Sequence, residues 1–138
     1  MTHLLDAATA GPDTGQGLRL RVDADLVDGA FSIHEGVLQP GEAVPEHVHE
    51  TADQLIYVVE GSVNVTVGEE TVEASSGDFV HKPKGVPHSL TNPTDGPTTV
   101  LEMTVTDQFQ RFTEAASTLT DPAGMPALQA KYGMRFGG

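Results

Sequence analysis

Three histidines carry the strongest chemical signal in the chain. His47 and His49 stand two positions apart, and His88 follows a second turn-rich stretch. On an extended strand, residues i and i+2 point to one side, about 7 Å apart along the chain. Two imidazoles on one face supply half of a metal site, and a third from another segment would extend it. Imidazole suits zinc, copper, iron and nickel, and also manganese where oxygen ligands join. The other histidines, His3, His34 and His81, have the ordinary reading of a lone histidine: a polar core or surface residue. His81 shares a segment with His88, which makes it the better placed of the strand cases.

The residues around these histidines fall at defined intervals. Gly41 is followed after five residues by His47-Val48-His49, after four more by Gln54, and after six more by Gly61. Gly77 is followed after five residues by Pro83, after one by Gly85, after two by His88, and after three by Asn92. This pattern resembles the two motifs of the cupin superfamily, and most closely its small, single-domain, quercetinase-like members. The second motif matches at every defining position, and the first departs only at Gln54, where the family usually has glutamate. The resemblance implies an all-β double-stranded β-helix (jelly-roll) barrel, often a homodimer, holding one divalent metal ion inside. Carried over residue by residue, it implies His47, His49, Gln54 and His88 as ligands. Gly41, Gly61, Gly77, Pro83, Gly85 and Asn92 carry over as turn and packing residues.

Gln54 changes the expected chemistry. Its amide offers a neutral carbonyl oxygen in place of a carboxylate. Three neutral imidazoles and one amide leave a divalent charge uncompensated, so the ion should be a stronger Lewis acid and attract an anionic enolate or carboxylate. Asp53 is the competing ligand, because a three-residue gap after His49 also occurs in the family. Period two puts Asp53 and Gln54 on opposite faces, so only one can face inward unless the strand is bulged. The six-residue gap to Gly61 favours Gln54. In dioxygenases of the family the metal-bound glutamate usually also serves as base, so here that role would pass to Glu50, Asp53 or Glu35. Glu35 shares a strand face with Phe31, Ile33 and Val37, which would turn it inward and raise its pKa by desolvation.

These residues need a rigid β framework, and the pattern from Leu18 to Thr106 supplies one. Leu18, Leu20 and Val22 alternate with arginines, and Phe31–Val37 alternates likewise. Pro40-Gly41 suits the centre of a type II turn. Leu55–Val59 and Ser62–Val67 flank Glu60-Gly61, which predicts a two-residue hairpin. Further short strands are expected at Thr71–Ala74, Phe79–Lys82, Ser89–Asn92 and Thr98–Thr106, in a sandwich or small barrel. From Asp107 the period changes. Asp107 and Gln110 are spaced for a reciprocal capping box, and Phe109, Phe112, Ala116 and Leu119 recur at helical spacing. A second helix should begin near Pro122 or Pro126 and stop at Gly133. The organisation expected is a mobile segment over 1–17, a barrel over 18–106 and a helical extension over 107–138.

Composition limits the alternatives. The 138 residues suit one core, and the absence of cysteine removes disulfides, iron–sulfur clusters and thiolate-bound zinc. A net charge of −13 disfavours nucleic acid and anionic membranes as partners. The longest apolar run is Leu55–Val59, too short to span a bilayer, and no basic segment precedes an apolar one at the N-terminus. A cytoplasmic protein with a small-molecule substrate is therefore the expectation. Its leading reading is a metal-dependent dioxygenase on an enolisable or phenolic compound. A non-redox cyclase, isomerase or lyase of the polyketide type is the alternative, and a non-enzymatic ligand-binding barrel is the third.

Overall fold

The computed structural model describes residues 3–11 and 17–136. Its strands, in chain order, are β1 (Leu18–Val22), β2 (Phe31–Leu38), β3 (Ala43–His49), β4 (Gln54–Glu60) and β5 (Ser62–Val67). There follow β6 (Glu70–Ser75), β7 (Phe79–Lys82), β8 (His88–Thr91) and β9 (Thr98–Val105). Helices α1 (Gln108–Ser117) and α2 (Met125–Lys131) and the short strand β10 (Met134–Phe136) complete the chain. The strands form two five-stranded antiparallel sheets, ordered β1-β2-β9-β4-β7 and β10-β3-β8-β5-β6. The chain passes between the sheets repeatedly, which makes the fold a jelly roll with C-terminal helices. Among the described residues no helix is long and apolar enough to cross a membrane.

Glu60-Gly61 does not close a hairpin. β4 lies in the first sheet and β5 in the second, so the chain turns a corner between them. Gly61 has φ of 91°, and a Cβ there would stand 2.5 Å from Thr98 Oγ1, so only glycine fits. A corner and a hairpin share one local pattern, and only the packing of sheet on sheet separates them. The two-residue hairpin comes one step later, at Gly68-Glu69, where Val67 faces Glu70 across β5 and β6.

The barrel interior has an apolar end and a polar end. Leu38, Ile56, Val58, Val63, Val65, Ala74, Leu90 and Val100 form the apolar core between the sheets. Further along the first sheet the inward rows turn polar, β9 from Glu102 and β4 one pair later at Gln54. On β4 the inward residues run Val58, Ile56, Gln54, and on β9 they run Val100, Glu102, Thr104. The register aligns these rows, pairing Val58 with Val100, Ile56 with Glu102 and Gln54 with Thr104. On β2 the inward residues are Ser32, His34, Gly36 and Leu38. Glu35 therefore faces outward with Phe31, Ile33 and Val37, contrary to the expectation from apolar company. The inner wall at this level is polar, so hydrophobicity misidentifies its face.

The C-terminal segment closes one side of the barrel. Phe109 and Phe112 of α1 pack with Met134 of β10, and Leu18 and Tyr132 pack against them. The capping box does not form: Asp107 makes no side-chain cap bond, and Gln110 turns inward instead. Gln110 Oε1 accepts from the Ala24 N–H at 2.8 Å, and its Nε2 donates to Asp23. Gln108 N–H is accepted by Thr106 Oγ1. α2 is followed by Gly133 at φ of 73°, the left-handed residue expected after a helix. The chain then returns as β10 along β3, a strand the helical reading of this segment did not include. Of the N-terminal segment, Gly11 N–H donates to the Leu20 carbonyl. The mobility expected over 1–17 falls in part on residues 1, 2 and 12–16, outside the described residues.

Candidate metal centre

His47 and His49 sit at the end of β3, after an irregularity in its pairing with β8 between Val44 and His47. The register places His47 directly opposite His88, the first residue of β8, and His49 opposite Met134 of β10. All three imidazoles are buried. Their ring centroids are 4.3 Å (His47 to His88), 5.0 Å (His47 to His49) and 5.4 Å (His49 to His88) apart. One nitrogen from each ring lies within 4.8 Å of the others. Two nitrogens across one zinc-sized ion stand up to about 4.2 Å apart, so the grouping is near ligating distance.

The donor chemistry fits a metal. His47 Nδ1 sits 2.9 Å from the Pro45 carbonyl, which holds the proton there and leaves Nε2 as the basic nitrogen. Burial pushes the pKa of His47 down, that of His49 down to about 3 and that of His88 down to about 2. The positive charge of Lys82 acts in the same direction on each. The rings are thus held neutral, the form that ligates. Gln54 is buried beside them. Its Nε2 donates to Thr104 Oγ1 at 2.9 Å, which leaves Oε1 with no hydrogen-bond partner among the described residues. His49 Nε2 is likewise without one. A buried acceptor left in this way is costly unless something meets it.

His47 and His49 border a cavity of about 490 Å³, within the size range of small-molecule sites. Its walls include His47, His49 and Gln54 together with apolar Leu38, Val44, Leu90, Val100 and Phe109. Phe109 stands edge-on between His34 and His49, with centroids 5.2 and 5.5 Å away. Phe136 of β10 stacks on His47 at 4.8 Å.

The acids expected to act as base lie elsewhere. Asp53 points away from Gln54, accepts from the Lys84 N–H at 3.0 Å and lies 3.5 Å from His81 Nε2. That backbone donor is the main reason its pKa is lowered. Glu50 accepts from Arg135 Nε at 3.0 Å on the surface, and Glu35 pairs with Arg21 at 3.1 Å. Strand alternation explains Glu35 and Asp53, since His34 and Gln54 occupy the inward positions beside them. None of the three lines the cavity.

Three charged residues that do line it were not singled out in the sequence: the exposed Glu42, and two buried ones. Lys82 of β7 and Glu102 of β9 are buried and form an ion pair. Both lie on inward rows of otherwise apolar or hydroxylated strands, and period two could have flagged them. His34 takes the core form of the ordinary reading of a lone histidine: it is buried, and burial pushes its pKa down to about 4.

Comparison with known proteins agrees with this geometry. The family model described as the cupin domain matches residues 34–104, about half the chain. The tetracenomycin polyketide synthase protein TcmJ of Streptomyces glaucescens is 34% identical over 64 residues, covering 46% of this chain and 43% of that protein. The quercetin 2,3-dioxygenase of Bacillus subtilis is 39% identical over 99 residues, covering 64% of this chain and 29% of that protein. The chain thus spans less than two thirds of the length of these curated relatives. The solved structure of TT1209 from Thermus thermophilus has a TM-score of 0.62 at 26% identity, covering 76% of this chain and 98% of that one. With the motif residues, the two-sheet barrel and the family match in agreement, the chain belongs to the cupin family.

Proposed function

We propose that this chain is a metal-dependent enzyme in which His47, His49, His88 and Gln54 Oε1 hold one divalent ion (iron, nickel, manganese, zinc or copper), and that it acts as a dioxygenase on a small enolisable or phenolic compound. The observation that carries this is the convergence of three buried imidazole nitrogens within 4.8 Å beside a cavity of small-molecule size. When bound, such an ion supplies Lewis acidity and, if redox-active, a path for electrons between substrate and dioxygen. The protein's part is positional. Pro45 orients His47, Thr104 orients the Gln54 amide, and Phe109 and Phe136 keep water from the rings. A donor set without a carboxylate favours an anionic substrate oxygen beside it. The similarity to a quercetin dioxygenase supports this reading. Its test is elemental analysis of natively purified protein, followed by dioxygen uptake with flavonols and 1,3-diketones after loading with iron, nickel or manganese. Absence of uptake with every metal would count against it.

A second reading draws on Gln54 and on the similarity to a polyketide synthase protein. A strongly polarising ion can stabilise an enolate without oxygen, as a cyclase, isomerase or lyase requires. Bound zinc as purified, with turnover unchanged under anaerobic conditions, would favour it over the dioxygenase.

We further propose that two copies of the chain associate through the outer face of the first sheet. Phe79 is 68% exposed there, and Val37, Val59 and Val105 are also exposed. A contiguous apolar face of this kind is uncommon on a monomer.

A further inference from the structure

The inner wall opposite the imidazoles holds a charged pair in an unusual position. Lys82 is 2% exposed and Glu102 is 7% exposed, and the ammonium donates to Glu102 Oε1. They are not neighbours in the sheet. β4 runs between β7 and β9, and the register sets Lys82 beside Gln54 and Glu102 beside Ile56. The pair therefore crosses β4 diagonally, over its inner face and within the cavity lining.

Stability does not account for such a pair. Removing two charges from water costs several kcal/mol per ion, and apolar residues of similar volume often serve as well or better. The pair also has spare capacity. An ammonium has three donors, and among the described residues Glu102 is the acceptor of one. Besides His47, His49, Gln54 and the exposed Glu42, the rest of the lining is apolar.

We propose that Lys82 and Glu102 anchor the substrate: the ammonium binds the anionic oxygen of an enol or phenol, and the carboxylate accepts from a neighbouring hydroxyl. This deepens the function proposed above and rests on it, since it takes the cavity to hold an acidic hydroxy-carbonyl compound. The apolar walls would then enclose the rest of a flat molecule, whose charged end is read by Lys82 and Glu102.

The test is calorimetric binding to zinc-loaded protein without dioxygen, so that no turnover occurs. The probes are quercetin with its 3-O-methyl ether, and benzoylacetone with its enol methyl ether. The variant is K82M/E102L, which removes both charges and strands neither. Loss of a charged hydrogen bond should weaken binding of the free hydroxyl probes by about tenfold or more. The ethers should bind both proteins equally, and zinc content should not change. A merely structural role would leave the preference for hydroxyl over ether intact. Should K82M/E102L fail to fold, the reversed pair K82E/E102K keeps the buried charges, moves the ammonium, and should lose the same preference. Unchanged preference in a folded variant would overturn the anchor alone. Failure of the unaltered protein to bind either acidic probe would overturn both the anchor and the substrate class it rests on.

Discussion

His47 and His88 are direct cross-strand partners, one near the end of β3 and the other opening β8, with ring centroids 4.3 Å apart. That one register pair brings together two histidines with forty residues between them in the sequence. It explains why a two-residue histidine spacing can end in a three-histidine cluster: His49 reaches the same point from the next inward position of β3. Metal binding should therefore depend on the register itself, as well as on the ligands.

Replacing His88 by Leu should remove a ligand while leaving an apolar side chain of similar bulk in the buried position. Metal affinity should fall by more than the ~10–100-fold that loss of an outer hydrogen-bond partner typically costs. Zinc titration against a competing chelator would measure it. Equal affinity in both proteins would remove His88 from the centre.

Gln54→Glu should act in opposite directions on the loaded and metal-free protein. With metal, the added carboxylate should tighten binding. Without metal, a buried unpaired acid should destabilise the fold by roughly 1–3 kcal/mol. Chelator competition and urea unfolding give the two readings. Unchanged metal affinity would argue that Gln54 serves only to hold its neighbours, through the bond to Thr104.

Acid should destabilise the metal-free protein, and the sign follows from burial. His34, His47, His49 and His88 all have folded pKa values below the ordinary 6.5, those of His34 and His49 at about 4 and about 3. Between pH 6.5 and those values the unfolded chain binds protons that the folded chain does not. The contribution is present above 6.5 and is lost as pH falls toward the folded values, at roughly 1.4 kcal/mol per pH unit for each histidine fully in that window. Urea midpoints at pH 7 and pH 5 would check this, and His34→Leu should flatten the slope. A midpoint independent of pH over that range would show the rings already accept protons when folded.

Phe79→Glu should separate an associated protein into monomers. Phe79 lies on edge strand β7 and packs on Tyr57, with centroids 4.6 Å apart, while most of its surface remains open. Sedimentation velocity of the unaltered and altered proteins would decide. A monomer in both cases would leave the outer face unpartnered.

Much of the framework was legible from local pattern. Period-two valines marked β5, glycine and proline marked the turns, and the helical spacing of Phe109 and Phe112 marked α1. The expected hairpin at Glu60-Gly61 failed because a corner between sheets uses the same local residues. The capping box at Asp107 failed because burial of Gln110 against Ala24 and Asp23 outweighed a surface cap. β10 was invisible because three residues carry too little periodicity, and its pairing with β3 forms only after two helices have brought the chain back.

By itself, the sequence determined the chemical inventory of the centre: three imidazoles, an amide in place of a carboxylate, and the spacings that assign them to a barrel. Only the tertiary structure decided which faces turn inward. Alternation tells which residues share a face of a strand, but not which face meets the core. On β2 the polar face is the inner one, so Glu35 went outside and His34 inside. Nor could alternation join Lys82 to Glu102, because β7, β4 and β9 become neighbours only through long-range pairing. That pairing brings the cavity's two buried charges together diagonally across β4.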